Sequence, residues 1–177
     1  MNSAILQAIR ARRVVRRMTA ERIPRAELEA VLATARFAPS AGNRRLQRFV
    51  VVQDPTMLHL LRAVAPGMVQ RPAAAVVICI DWQRVDRFRL PRTNRGVYLD
   101  VGAAMQTLLL AAHATGLGAG PVTSFSKAAV RVLLNLPDHL SPELLICLGR
   151  PAADDLAPMR ASQRLTWQEL VDWERFA

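Results

Sequence analysis

The sequence predicts one α+β domain spanning residues 1–177. Strand-like and helix-like segments are mixed without strict alternation, and no repeat, linker or low-complexity stretch divides the chain. Hydrophobic residues make up 51% and charged residues 21%, the balance of a globular protein, which excludes disorder across the whole chain.

The elements follow in order. Residues 2–13 can form a first helix. Pro24 suits a first helical position, and Leu28, Val31, Leu32 and Ala35 recur at helical spacing up to Phe37. Residues 38–45 (APSAGNRR) form a loop by their Pro, Ser, Gly and Asn content, and the β-branched run at 48–53 follows as a strand. Asp54-Pro55 opens a short helix to about Ala65. The continuous apolar run at 73–80 has the length of a strand buried on both faces, central in its sheet. Residues 82–96 hold five Arg with Pro91 and Gly96 and no clean period, so they are expected as a surface excursion. A buried helix at about Val97 to Thr115, a glycine-rich turn, a helix capped by Ser126, and a strand at 143–149 complete the core. The tail, with Trp167 and Trp173, is expected to be an amphipathic helix.

Charge is the outstanding bias. Twenty-four basic minus fourteen acidic residues leave +10, and every basic residue except Lys127 is arginine. Residues 1–50 carry eleven Arg against Glu21, Glu27 and Glu29, and the excess either asks for an anionic partner or serves solubility. Arg10, Arg12, Arg13, Arg16 and Arg17 fall within eight residues and repel one another unless an anion sits among them; paired guanidinium forks match phosphate. Nucleic acid is disfavoured, because aromatic residues are only 5% and no RNA- or DNA-binding motif is present.

Other classes fall away. Cys79 and Cys147 each lie in an apolar run and are expected to be buried thiols in a reducing compartment, not zinc ligands. The N-terminus lacks the apolar core of a secretory signal, and its likeness to a mitochondrial transit peptide ranks below the phosphate reading. The uncharged stretch from Val101 to Ser126 has too short an apolar part to span a membrane, so its helix is expected to be buried in the core or between subunits of a cytoplasmic protein. His59, His113 and His139 are scattered, and no metal or nucleophile motif is present. The Gly-x-Gly-x-Gly of residues 116–120 follows a helix, unlike a dinucleotide fingerprint; it reads as a helix C-cap at Gly116 or as bare backbone that a flat ligand can approach.

Taken in order, these segments resemble the FMN-dependent nitroreductase family over nearly the whole chain. The family's Arg-Arg-Ser-x-Arg phosphate segment is similar to Arg12-Arg13-Val14-Val15-Arg16, with Val14 in place of serine. Its Ala-Pro-Ser-x-x-Asn signature is similar to Ala38 through Asn43, with Pro39, Ser40 and Asn43 implied at the isoalloxazine, whereas the Gln-Pro-Trp that follows is replaced by Arg45-Leu46-Gln47. The stretch Pro121, Val122, Thr123 and Ser124 matches the backbone that meets the ring near N5, although relatives often carry glycine there. Gly149-Arg150-Pro151 with Arg160 and Arg164 resembles the closing phosphate element.

The resemblance implies a nitroreductase-like fold, with a mixed, mostly antiparallel sheet flanked by helices and a long buried helix at the interface of a homodimer. It implies one FMN in each of two sites built from both chains, with no metal and no catalytic side chain, since the flavin carries the chemistry. The leading expectation is ping-pong reduction of small nitroaromatics, quinones or enones with NADPH or NADH. The alternatives are a flavin-dependent dehydrogenase or oxidase tailoring a peptide-like biosynthetic intermediate, which could involve a further partner subunit, and a non-enzymatic basic binding protein.

Overall fold

The computed structural model describes residues 3–19, 21–153 and 166–175. The apolar run at 73–80 becomes β2 (Ala74–Asp81), and every one of its residues is buried. It pairs antiparallel with β1 (Gln47–Val52) on one side and β4 (Leu140–Gly149) on the other, and β3 (Gly118–Val122) adds to β4, giving the order β1-β2-β4-β3. The ladders are all antiparallel; the one parallel pairing among the described residues is the isolated bridge from Val14 to Ala119.

Alternation along β2 and β4 divides the core between the two faces of the sheet. Val76, Ile78, Ile80, Ile146 and Leu148 belong to one apolar cluster, and Ala75, Val77, Cys79, Leu145 and Cys147 to the other. The first cluster is roofed by α5 (Gly96–Ala114), the second by α3 (Pro55–Ala63) and α6 (Lys127–Leu133). Asp54 caps α3 by accepting from Met57 N at 2.8 Å, and Ser126 caps α6 by accepting from Ala129 N at 3.2 Å.

Several boundaries differ from the sequence expectation. The first helix is α1 (Ala4–Ala11), which ends where Arg12 turns extended. Pro24 stands at the N-cap of α2 (Arg25–Ala33), one place before the first helical residue, and Thr34–Phe37 tighten into a 3-10 turn. The excursion at 82–96 contains α4 (Trp82–Arg87), a short helix capped by Asp81 and anchored by buried Val85. The glycine-rich turn is half strand: Gly116 takes the left-handed C-cap conformation (φ 77), but Gly118 onward is β3. Described tail residues form a 3-10 turn, Trp167–Leu170, in place of an amphipathic α-helix.

Helix α5 is long and apolar enough to cross a membrane by length and composition. It lays Val97, Val101, Ala104, Leu108, Leu109 and Ala112 on the core, so Leu109 belongs to the protomer's own interior. Leu99, by contrast, is 74% exposed.

Cys79 and Cys147 are buried as expected, and loss of hydration pushes both thiols up to about 12, with Glu143 adding repulsion at Cys79. The folded chain therefore keeps two protons that an unfolded chain releases near the ordinary value of 9.0. Stability contributed by these thiols is complete below that value and is lost as pH rises toward about 12. Thermal unfolding followed across that window should show a declining midpoint, less steep in Cys147→Ala.

Candidate functional site

The site begins where α1 stops. From Arg12 the chain runs extended along the sheet, with Val15 N donating to the Ala119 carbonyl at 3.0 Å, Thr19 N to Arg150 O at 2.9 Å, and Ala152 N to Arg17 O at 3.0 Å. β-branched Val14 and Val15 favour this conformation, which places the arginine-rich segment against β3. Glycine is required opposite. A Cβ at Gly118 would stand 2.8 Å from Val15 Cγ1, and one at Gly120 would run into Gln70 Nε2 and stand 2.9 Å from the Val15 carbonyl. The bare backbone expected to admit a flat ligand at these two glycines is thus filled by the chain's own Val15 and Gln70.

Arg12 is the unsatisfied member of the cluster. Its Nε and Nη1 are buried and have no hydrogen-bond partner among the described residues. Leaving charged donors in that state costs several kcal/mol in general, a cost that a bound acceptor would relieve. Arg13 and Arg16 are exposed beside it, and Arg160 and Arg164 lie outside the described residues. Arg150 does not join them. Its Nη1 and Nη2 donate to Glu27 at 2.8 and 2.7 Å, and its Nε donates to Glu21 at 3.4 Å, so it staples α2 to the end of β4.

At the far end of β3, Pro121 is half-buried, Val122 is buried, and Thr123 and Ser124 are exposed. The stretch is pinned from behind: Gly67 N donates to Ser124 O at 3.0 Å and Ser126 N to Val64 O at 2.9 Å. Gln70, only 3% exposed, reaches toward the Val15 carbonyl at 3.5 Å, and its Oε1 is buried without a partner among the described residues. Nothing in its sequence neighbourhood marks it.

The loop bearing Pro39, Ser40 and Asn43 is tied to the start of α5. Asp100, 5% exposed, accepts from Ala41 N at 3.0 Å through Oδ1, while its Oδ2 is buried and has no partner among the described residues. Gly42 and Asn43 turn the chain with φ of 59 and 54. Asp100 is the one carboxylate in α5, and that isolation is the sequence signal that could have singled it out.

Asp100 holds the Asn43 loop near the N-terminal end of α5, whereas β3, which receives Val14 at Ala119, follows the C-terminal end of that helix in the chain. A cavity of about 910 Å³ lies elsewhere, among Arg22, Gln53, Asp54, His59, Arg62 and Arg71, and the predicted site residues do not line it.

The Nitroreductase family profile matches residues 9–82 and 62–150. The chain belongs to the nitroreductase family. It is accordingly an enzyme of the oxidoreductase class, with a nitroreductase fold. A "Putative NADH dehydrogenase/NAD(P)H nitroreductase" of Methanothermobacter thermautotrophicus is 31% identical over 84% of this chain and 78% of its own. A "5,6-dimethylbenzimidazole synthase" of Rhodobacter capsulatus is 29% identical over 97% of this chain and 95% of its own. Among solved structures, a "putative nitroreductase in complex with FMN" from Desulfovibrio desulfuricans is 29% identical, with a TM-score of 0.80 and complete coverage of both chains.

Proposed function

We propose that the chain is a cytoplasmic, homodimeric, FMN-dependent oxidoreductase that reduces nitroaromatics, quinones or similar electron-poor compounds with NADPH or NADH by a ping-pong cycle. The observation that carries this reading is Arg12, whose buried, unpartnered guanidinium nitrogens sit on the segment laid along β3. The FMN complex of the Desulfovibrio relative supports the choice of anion. Bound FMN would supply the redox chemistry, taking electrons from the nicotinamide nucleotide and delivering them to the acceptor.

The chain's residues do the rest. Arg12, Arg13 and Arg16, with Arg160 and Arg164, neutralise the phosphate. Pro39, Ser40, Asn43 and the Pro121–Ser124 stretch, including Val122 and Thr123, line the ring, where fixed donors near its pyrimidine end favour the electron-rich form. A homodimer would join the Asn43 loop of one chain to the arginine segment of the other. Ile5, Leu6 and Ile9 on α1 and Leu99 on α5 are exposed large hydrophobics, and α1 packs against α5, so a second copy would find an apolar surface there.

The relative named 5,6-dimethylbenzimidazole synthase favours a second reading, a flavin enzyme that tailors a biosynthetic intermediate. The visible spectrum of the purified protein separates the two, followed by chromatography of the chromophore that heat releases and anaerobic addition of NADPH or NADH. Release of FMN with bleaching by a nucleotide is the expected result. Bound FMN that neither nucleotide bleaches supports the tailoring reading, and a colourless protein that takes up no added FMN leaves the basic binding protein.

A further inference from the structure

We infer that Arg45 is a positioning residue for the flavin ring, acting through the side chain of Asn43; the inference rests on the FMN reading above. Residues 45–47 are where this chain departs from the family's Gln-Pro-Trp, and the geometry around Arg45 gives that departure a purpose. Arg45 adopts a left-handed backbone (φ 48), a conformation that an arginine holds only when its surroundings compensate for it.

Four hydrogen bonds supply that compensation. Arg45 N donates to Ser40 Oγ at 3.3 Å and Nε to the Arg36 carbonyl at 2.8 Å. Nη1 donates to the Asn43 carbonyl at 3.3 Å and to Asn43 Oδ1. The guanidinium therefore reaches back across the loop and grips both the backbone and the side chain of Asn43, while its own backbone engages the hydroxyl of Ser40.

The consequence is chemical as well as mechanical. An asparagine amide offers an acceptor on one side and two donors on the other, and which side faces a ligand depends on what engages the rest. With Oδ1 occupied by a cation that can only donate, Asn43 is left presenting its Nδ2 hydrogens. A flavin ring would meet an oriented donor whose amide is polarised by the adjacent positive charge. Asp100 fixes the loop from the helix side through Ala41 N, so Arg45 has the narrower task of choosing the amide's direction.

A double-mutant cycle on the full-length protein, read by flavin fluorescence titration with FMN, tests this. Arg45→Ala is expected to weaken FMN binding about tenfold in the natural background, the scale of one charge-assisted hydrogen bond. In the Asn43→Ala background, Arg45→Ala should have less than half of that logarithmic effect. The charge of Arg45 acting directly on the cofactor would instead be additive. Arg45→Lys, which keeps the charge and loses the fork, should retain part of the coupling, and the bound flavin's absorption band should shift in Arg45→Ala but not further in the double variant. Full additivity, or an Arg45→Ala protein that binds FMN as tightly as the parent, would overturn the inference. If the parent protein itself takes up no FMN, the FMN reading falls, and this inference with it. A melting curve for each apoprotein guards against loss of the fold, and Arg45→Met, which cannot donate, replaces Arg45→Ala should the latter unfold.

Discussion

Arg12→Ala combined with Arg16→Ala is expected to raise the FMN dissociation constant by at least about a hundredfold, since each guanidinium lost from a phosphate removes charge-assisted bonds of about 1.5–3 kcal/mol. The two nitrogens of Arg12 that are buried without partners make the direction of a second effect predictable. In the absence of cofactor they destabilise the fold, so Arg12→Ala alone should leave the apoprotein's melting temperature unchanged or higher while abolishing the rise that FMN produces in the parent. An arginine that merely packs would lower the apoprotein's stability and leave that rise intact. Unchanged FMN affinity in the double variant would remove this cluster from the site.

Gly120→Ala tests the scaffold beneath the same segment. The new methyl group would enter the space of Gln70 Nε2 and stand 2.9 Å from the Val15 carbonyl, and a backbone atom cannot yield as a flexible side chain can. Overpacking of this kind costs about 1–3 kcal/mol, and relief would have to come from shifting residues 14–16 off β3. Stability and FMN affinity should therefore fall together. Gly102→Ala is the matched control: its Cβ would meet nothing within 4 Å, and replacing a helical glycine should stabilise by about 0.5–1 kcal/mol. Denaturant unfolding of both variants, with FMN titration of each, checks the contrast. Equal behaviour would mean that the close approach of Val15 to Gly120 is not maintained in solution.

The segments of the candidate site could be picked out in the chain because each is local. The Arg12–Arg16 cluster, the Ser40–Asn43 loop and the cap at Gly116 are each written within a few consecutive residues. Gln70 was not legible, because its importance arises from a close approach to Val15 and Gly120, residues far from it in sequence. The role of Arg150 was not legible for the same reason: Glu27, 123 residues away, occupies its fork.

By itself the sequence determined the α+β class, the doubly buried β2, the helix start at Asp54-Pro55, the cap at Ser126, and the family, because periodicity, burial and capping are read over a single turn or strand. Only the tertiary structure decided that Gly118–Val122 is a strand and not a turn, since a strand without β-branched side chains at its start exists only through the partner it pairs with, here β4. It also decided that Leu109 faces the core while Leu99 faces outward, and that Arg45 turns back onto Asn43. An all-round apolar helix carries no phase that could assign its faces, and the direction of a long flexible cation is set by whichever acceptors folding brings within its reach.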